Sequence, residues 1–262
     1  MGQEERRTIG GQMESMDAAA RQLRAQEVLA EGLENGRALE EILSVEAALR
    51  IDPRCPDALI VLADQEEVRR LASAPYVRLA LAHLAHDEAW NRVRARQKAM
   101  APPKRDVFDM LVARPYLRAA ILLAGCLVET GHADLARGIY RRVMRQEPRD
   151  SMGARYLLAI LDVRTGDDAA FERRRPQFEG DEHPAWVLTD LLAAHRRGDA
   201  ERMGKALEIA RRRYPEIVAM VAETDDADRS EALEWRSSEL YALWRANPPA
   251  QRWLREWLGV AS

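Results

Sequence analysis

The residues best suited to chemistry lie in the run His83-Leu84-Ala85-His86-Asp87-Glu88. On a helix, His83 and Asp87 are four positions apart and share a face, a spacing that can present two metal ligands. No third or fourth ligand is near in sequence, and His86 stands about 60° round the helix from His83. The expectation is a histidine–carboxylate pair on a solvated face, not a metal centre. Cys55 and Cys126 are too few and too far apart for a disulfide framework or a metal site. Cys126 lies in an apolar run, where a cysteine serves as a small hydrophobe. A glycine-rich phosphate loop, an H-E-x-x-H helix and a G-x-S-x-G turn are all missing from the sequence. We therefore expect no catalytic, cofactor-binding or metal-binding residue and no enzyme.

Charge is the next candidate. Only Lys98, Lys104 and Lys205 are lysine, and the remaining basic residues are arginine. Three arginine clusters stand out: Arg141-Arg142, Arg173 to Arg175 and Arg211 to Arg213. All three fall on the second helix of a repeat or at its end, on the outer face in this architecture, and cations near a helix C-terminus also complement its dipole; the functional alternative is a patch for an acidic partner. The net charge of −3 argues against general affinity for nucleic acid or anionic membrane. The longest apolar run, Ala119 to Val128, is half the roughly 20 residues a membrane span requires. The N-terminus has no apolar signal core. These features lead us to expect a cytoplasmic protein without membrane insertion.

The elements that would position any site read as helices throughout. Alanine, leucine, glutamate and arginine dominate, and aromatic residues are only 6%. The expected organisation is a flexible tail over 1–15, degenerate helical repeats over 16–100, a linker over 101–115 marked by Pro102-Pro103, repeats over 116–215 and capping helices over 216–262. Within 117–148 the residues match the 34-residue tetratricopeptide pattern, with Leu123 and Ala124 at places seven and eight. Gly131 falls at the turn, Ala136 at place twenty, Tyr140 at twenty-four and Pro148 at thirty-two. Small residues at places eight and twenty let two helices approach closely. Weaker units follow, with turn glycines at Gly166 and Gly198 and a second helix cut short at Pro176. The fold expected is all-α: a tetratricopeptide-like right-handed superhelix of antiparallel hairpins, closed by a C-terminal capping pair. From 16 onward it would run as one continuous solenoid.

Beyond the generic repeat, the segment order resembles the soluble helical region of the suppression of tumorigenicity 7 family and its bacterial relatives. The residues carrying it are ALIVLADQEE, RPYLRAAILLAGCLVETGHADLARGIYRRVMRQEP, SMGARYLLAILDVRTGDDAA and AWVLTDLLAAHRRGD, with ALEIARRRYPEIVAMV and ALEWRSSELYALWRANPPAQRWL after them. Together they cover about two thirds of the chain. The resemblance implies a helical-repeat scaffold without known chemistry. Animal members of that family have membrane spans, and this chain has no run long enough to form one.

Tetratricopeptide grooves bind through the inner face of each first helix. The register places Arg118, Ile121 and Glu129 there in the first unit, Tyr156, Ile160 and Arg164 in the second, and Leu188, Leu192, His195 and Arg196 in the third. This line is apolar with arginine at its edges. It points to a non-catalytic scaffold that presents a concave groove to a protein or peptide, or to another copy of itself. The alternative is a structural or regulatory subunit stable mainly when assembled. Trp253 and Trp257 of the cap could also fold back and fill the groove.

Overall fold

In the computed structural model, residues 17–34, 38–98, 109–222 and 238–259 are described. The expected tail at 1–15 and the Pro102-Pro103 segment lie outside them. Among the described residues every regular element is a helix and there is no strand, so the fold is all-α. The chain divides into two compact units, Met1–Met152 and Gly153–Ser262. The sequence pattern put its only internal linker at 101–115. In the structure the N-terminal helices and the best-matched hairpin share the first unit, and that hairpin's first helix packs along the long helix before it.

The first unit contains α1 (Ala18–Glu34), α2 (Ala38–Ile51), α3 (Pro56–Asp64), the single turn α4 (Glu66–Arg69) and the long α5 (Ala74–Lys98). It ends with α6 (Arg114–Glu129) and α7 (Ala133–Gln146). Helices α1 and α2 form a hairpin around Ala25, Leu29, Val45 and Ala48. Gly32 is required at their closest approach, since a Cβ there would stand 2.2 Å from the Cβ of Ser44. Proline opens α3 and lies in the first turn of α6, where a missing N–H costs nothing. The α6–α7 pair is a closely packed helical hairpin. Gly131 turns at φ +84°, and Ala120, Ala124, Ala136 and Val143 are fully buried. The Tyr116 hydroxyl closes the far end by donating to Gln146 at 2.8 Å.

The second unit contains α8 (Ala154–Arg164), α9 (Asp168–Arg174), α10 (Pro184–Arg197) and α11 (Ala200–Arg213). The short α12 (Pro215–Val221) follows, then α13 (Glu239–Arg245) and α14 (Pro248–Leu258). Left-handed glycines 166 and 198 turn α8 into α9 and α10 into α11. Asp167 and Asp199 cap the second helix of each pair, accepting from Ala170 N–H and Arg202 N–H. Helix α9 has seven residues where α7 and α11 each have fourteen. At its end the chain tightens into a 3-10 turn, Arg175–Phe178, that contains Pro176. Helix α10 is central to the unit: ten of its fourteen residues are buried, and α8, α11, α13 and α14 all pack on it.

Ala136 has no exposed surface in the α6–α7 hairpin. Replacing it with tryptophan should cost roughly 1–3 kcal/mol or more and lower the thermal midpoint by several degrees. A midpoint equal to that of the parent would show that this side chain is not at the helix contact.

Candidate functional site

The ten groove positions fall in both units and are described within each. In the first unit Arg118 is exposed at the start of α6 and pairs with Asp57 of α3. Ile121 is half-buried. Glu129, at the end of α6, accepts two hydrogen bonds from the buried Arg78 of α5, at 2.6 and 2.7 Å. Arg78 also donates to Asp64 at 3.2 Å and to the Ala63 carbonyl at 3.1 Å, joining α3, α5 and α6. Both charged edge positions of this first helix thus have partners within the unit.

In the second unit the groove assignment does not hold for Ile160, Leu188 and Leu192. Leu188 and Leu192 have no exposed surface and Ile160 only 4%, in one core with Leu240, Leu243, Trp244 and Leu254 of the last two helices. The physical reason is that α13 packs on α8 and α10 and α14 packs on α10, covering the side that the register leaves open. The edge residues hold this cover in place. Arg164 donates to Glu239 of α13 at 2.7 Å. Arg196 donates to Asn247 at 2.6 Å and also to the Val163 carbonyl. The His195 ring lies 4.7 Å from Trp253 of α14. Gln251, almost wholly buried, donates to the Val221 carbonyl at 2.8 Å. Trp253 does fold onto the inner face, whereas Trp257 is 41% exposed and stands beside Arg211 of α11.

The remaining candidates are accounted for locally. His83 and His86 both direct Nδ1 to Asp87, at 3.2 and 3.0 Å. Among the described residues no group of three or more histidine, cysteine, aspartate and glutamate side chains is arranged to hold a metal ion. Burial raises the Cys126 thiol to about 11 and the Cys55 thiol above its usual value, so neither forms a thiolate near neutrality. Of the arginine clusters, Arg212 and Arg213 face Glu182, and Arg174 pairs with the buried Asp162.

What the register misses is a cleft on the other side of α10. It measures about 360 Å³ and lies between the 175–182 turn and the α10–α11 hairpin. Its apolar lining is Phe178, Trp186, Val187, Ala206 and Ile209, and charged side chains surround them. It lies where the seven-residue α9 gives way to the turn. The proline that shortens that helix was legible; the space it opens was not.

The wall of this cleft is fastened by a compact polar cluster. Tyr156 stacks on His183 with ring centroids 4.1 Å apart. Its hydroxyl donates to Asp181 at 3.1 Å, and the Arg155 guanidinium lies 4.6 Å over its ring. Asp181 accepts from the His183 backbone N–H at 3.0 Å. The His183 ring caps α10 by accepting the Ala185 N–H at Nδ1, so its neutral form carries the proton on Nε2.

A comparison of the chain with protein-family models, curated proteins and solved structures finds no match.

His183 titrates below its ordinary value of 6.5, mainly because burial penalises the imidazolium and also because Arg155 lies close; Asp181 opposes the shift. Burial and Arg196 lower His195 in the same direction. Lowered pKa values favour the neutral rings in the folded state. Their contribution to stability is therefore complete above 6.5 and is lost as pH falls through the lower folded values. Melting curves recorded against pH should show this loss, and His183→Asn, which keeps a capping oxygen but does not titrate, should reduce it. An unchanged pH profile in that variant would remove His183 from the account.

Proposed function

We propose that the chain is a non-catalytic scaffold of tetratricopeptide-like hairpins, wound as a right-handed superhelix and capped by its C-terminal helix pair. Its task in this reading is to bind a protein or peptide partner in the cytoplasm. The resemblance to the suppression of tumorigenicity 7 family belongs to the same proposal. Support comes from three successive helix pairs, α6–α7, α8–α9 and α10–α11, each turned by a left-handed glycine. Close packing at alanines in the first of them follows the same logic.

The observation that carries the binding reading is the cleft beside α11. With the inner side of α10 filled by the chain itself, an open concavity of the second unit lies between the 175–182 turn and α11, and its lining mixes apolar and charged side chains. Its volume of about 360 Å³ and its apolar floor with polar surroundings are the ordinary features of a recognition site.

One observation favours the second reading, a subunit stable mainly when assembled. Leu23 on α1 and Leu43 on α2 are 59% and 53% exposed, and Leu33 and Ile42 are partly so. Association with another chain or another copy would cover them.

The test compares affinity purification from the source cells using the parent chain and Ile209→Arg, which places a long side chain in the cleft from a half-buried position. Scaffolding through the cleft predicts a protein retained by the parent and lost with the variant, at unchanged melting temperature. Equal retention by both would contradict docking in the cleft.

A further inference from the structure

We propose that this cleft receives an arginine or lysine side chain of a partner peptide. The inference rests on the reading of the cleft as the docking site and specifies the chemistry of what docks there.

Six carboxylates line the cleft, from Glu179, Asp181, Glu182, Asp190, Asp199 and Glu201, against three cations, Arg175, Arg202 and Lys205. The cations are already engaged. Arg202 donates to Asp190 at 2.9 Å and to Glu172 at 2.7 Å, Lys205 to Glu201 at 2.7 Å, and Arg175 to Glu172 at 3.3 Å. Several carboxylates are also satisfied: Asp181 by Tyr156 and Arg155, and Glu182 by Arg213.

A surplus of acceptors remains. Asp199 uses Oδ1 to cap α11, and Asp190 uses Oδ1 for Arg202. The Oδ2 atoms of both residues and the carboxylate of Glu179 accept no hydrogen bond among the described residues. Asp190 is well sheltered, with its side chain 17% exposed, so its charge is less screened than one at an open surface. A guest bearing N–H donors and positive charge meets this demand, whereas a carboxylate or phosphate would be repelled.

The floor supplies the other half of the recognition. Val187, Ala206 and Ile209 offer apolar surface for a methylene stem, the part of a lysine or arginine that packs while its head stays polar. Phe178 and Trp186 stand edge to face with centroids 5.2 Å apart, and the Arg155 guanidinium already lies 5.6 Å from the Phe178 ring centroid, which shows that a guanidinium can sit against this ring. Apolar floor, aromatic edge and carboxylate oxygens not committed to another side chain together match a long cationic side chain. By the sign of its charge the cleft disfavours nucleic acid.

The test uses the full chain and three fluorescein-labelled peptides of matched length, carrying arginine, glutamate or leucine in an alanine–glycine background. Fluorescence anisotropy should show binding of the arginine peptide alone, weakening as salt is added. The double variant Glu179→Gln, Asp199→Asn removes two charges but keeps a capping oxygen on α11. It should bind about tenfold more weakly with an unchanged melting temperature. Equal binding of the three peptides, or equal affinity of parent and double variant, overturns the proposal. If the arginine peptide does not bind but Ile209→Arg still loses the cellular partner, the cationic chemistry falls and the docking reading stands. If both fail, both fall.

Discussion

Helix α10 has almost no side to show to water, and the second unit is built around that constraint. Ten of its fourteen residues are buried, including Trp186, Val187, Leu188, Leu191, Leu192, Ala193 and Ala194. A helix with apolar residues on most of its circumference must be covered on most sides, and only the stripe near Asp190 borders the cleft. A single antiparallel partner covers only one stripe, so α8 and α11 must be joined by α13 and α14 from the remaining sides. Burying large apolar side chains at about 1.5–3 kcal/mol each makes that cover a structural necessity. Trp244, Leu240, Leu243 and Leu254 have no exposed surface. The C-terminal pair is therefore part of the core of this unit, and the inner face of α10 is closed by the same packing that stabilises it.

Polar groups at the edge of this packing fix where the cover sits. Arg164 on Glu239, Arg196 on Asn247 and Gln251 on the Val221 carbonyl tie the last helices to α8, α10 and α12. The first unit solves a similar problem with Arg78, whose guanidinium meets acceptors from α3 and α6 while its side chain stays nearly buried. Removing such an arginine would leave acceptors in a sheltered place without their donor, which costs more than the net worth of the contact. Arginine at these positions serves internal joints through its several fixed N–H donors.

Much of this was legible in the residues. The turn glycines, the small residues of the α6–α7 contact and the helix starts at Pro56, Pro115 and Pro184 follow from local chemistry that one sequence displays. The groove was misread because its register counted only the positions expected to face inward. Leu188 and Leu192 were assigned to an open surface, although Trp186, Val187, Leu191, Ala193 and Ala194 on the other sides of α10 are apolar too, with Asp190 the charged exception before the last turn. That pattern is the signal that the helix is enclosed on most sides. Arg78 was also recoverable, since it falls on the buried stripe of Ala74, Ala82, Ala85 and Ala89. The cleft was not recoverable from a helical pattern, because it arises where a helix stops early and a turn leaves room beside α11. Pairings such as Arg164 with Glu239, 75 residues apart, depend on the tertiary arrangement and have no local signature.

The central claim is that the inner face of α10 is closed while the cleft face of α11 is open. Thiol reactivity distinguishes the two faces directly, because Cys55 and Cys126 are both buried and give a low background. Cysteine placed singly at position 192 or 209 is exposed to a thiol-specific reagent under native conditions, in variants whose melting curves confirm folding. The account predicts that Ile209→Cys is modified readily and Leu192→Cys only as slowly as Cys126. Rapid modification of Leu192→Cys in the folded protein, at a rate matching Ile209→Cys, would mean that the inner groove is open and would contradict the account.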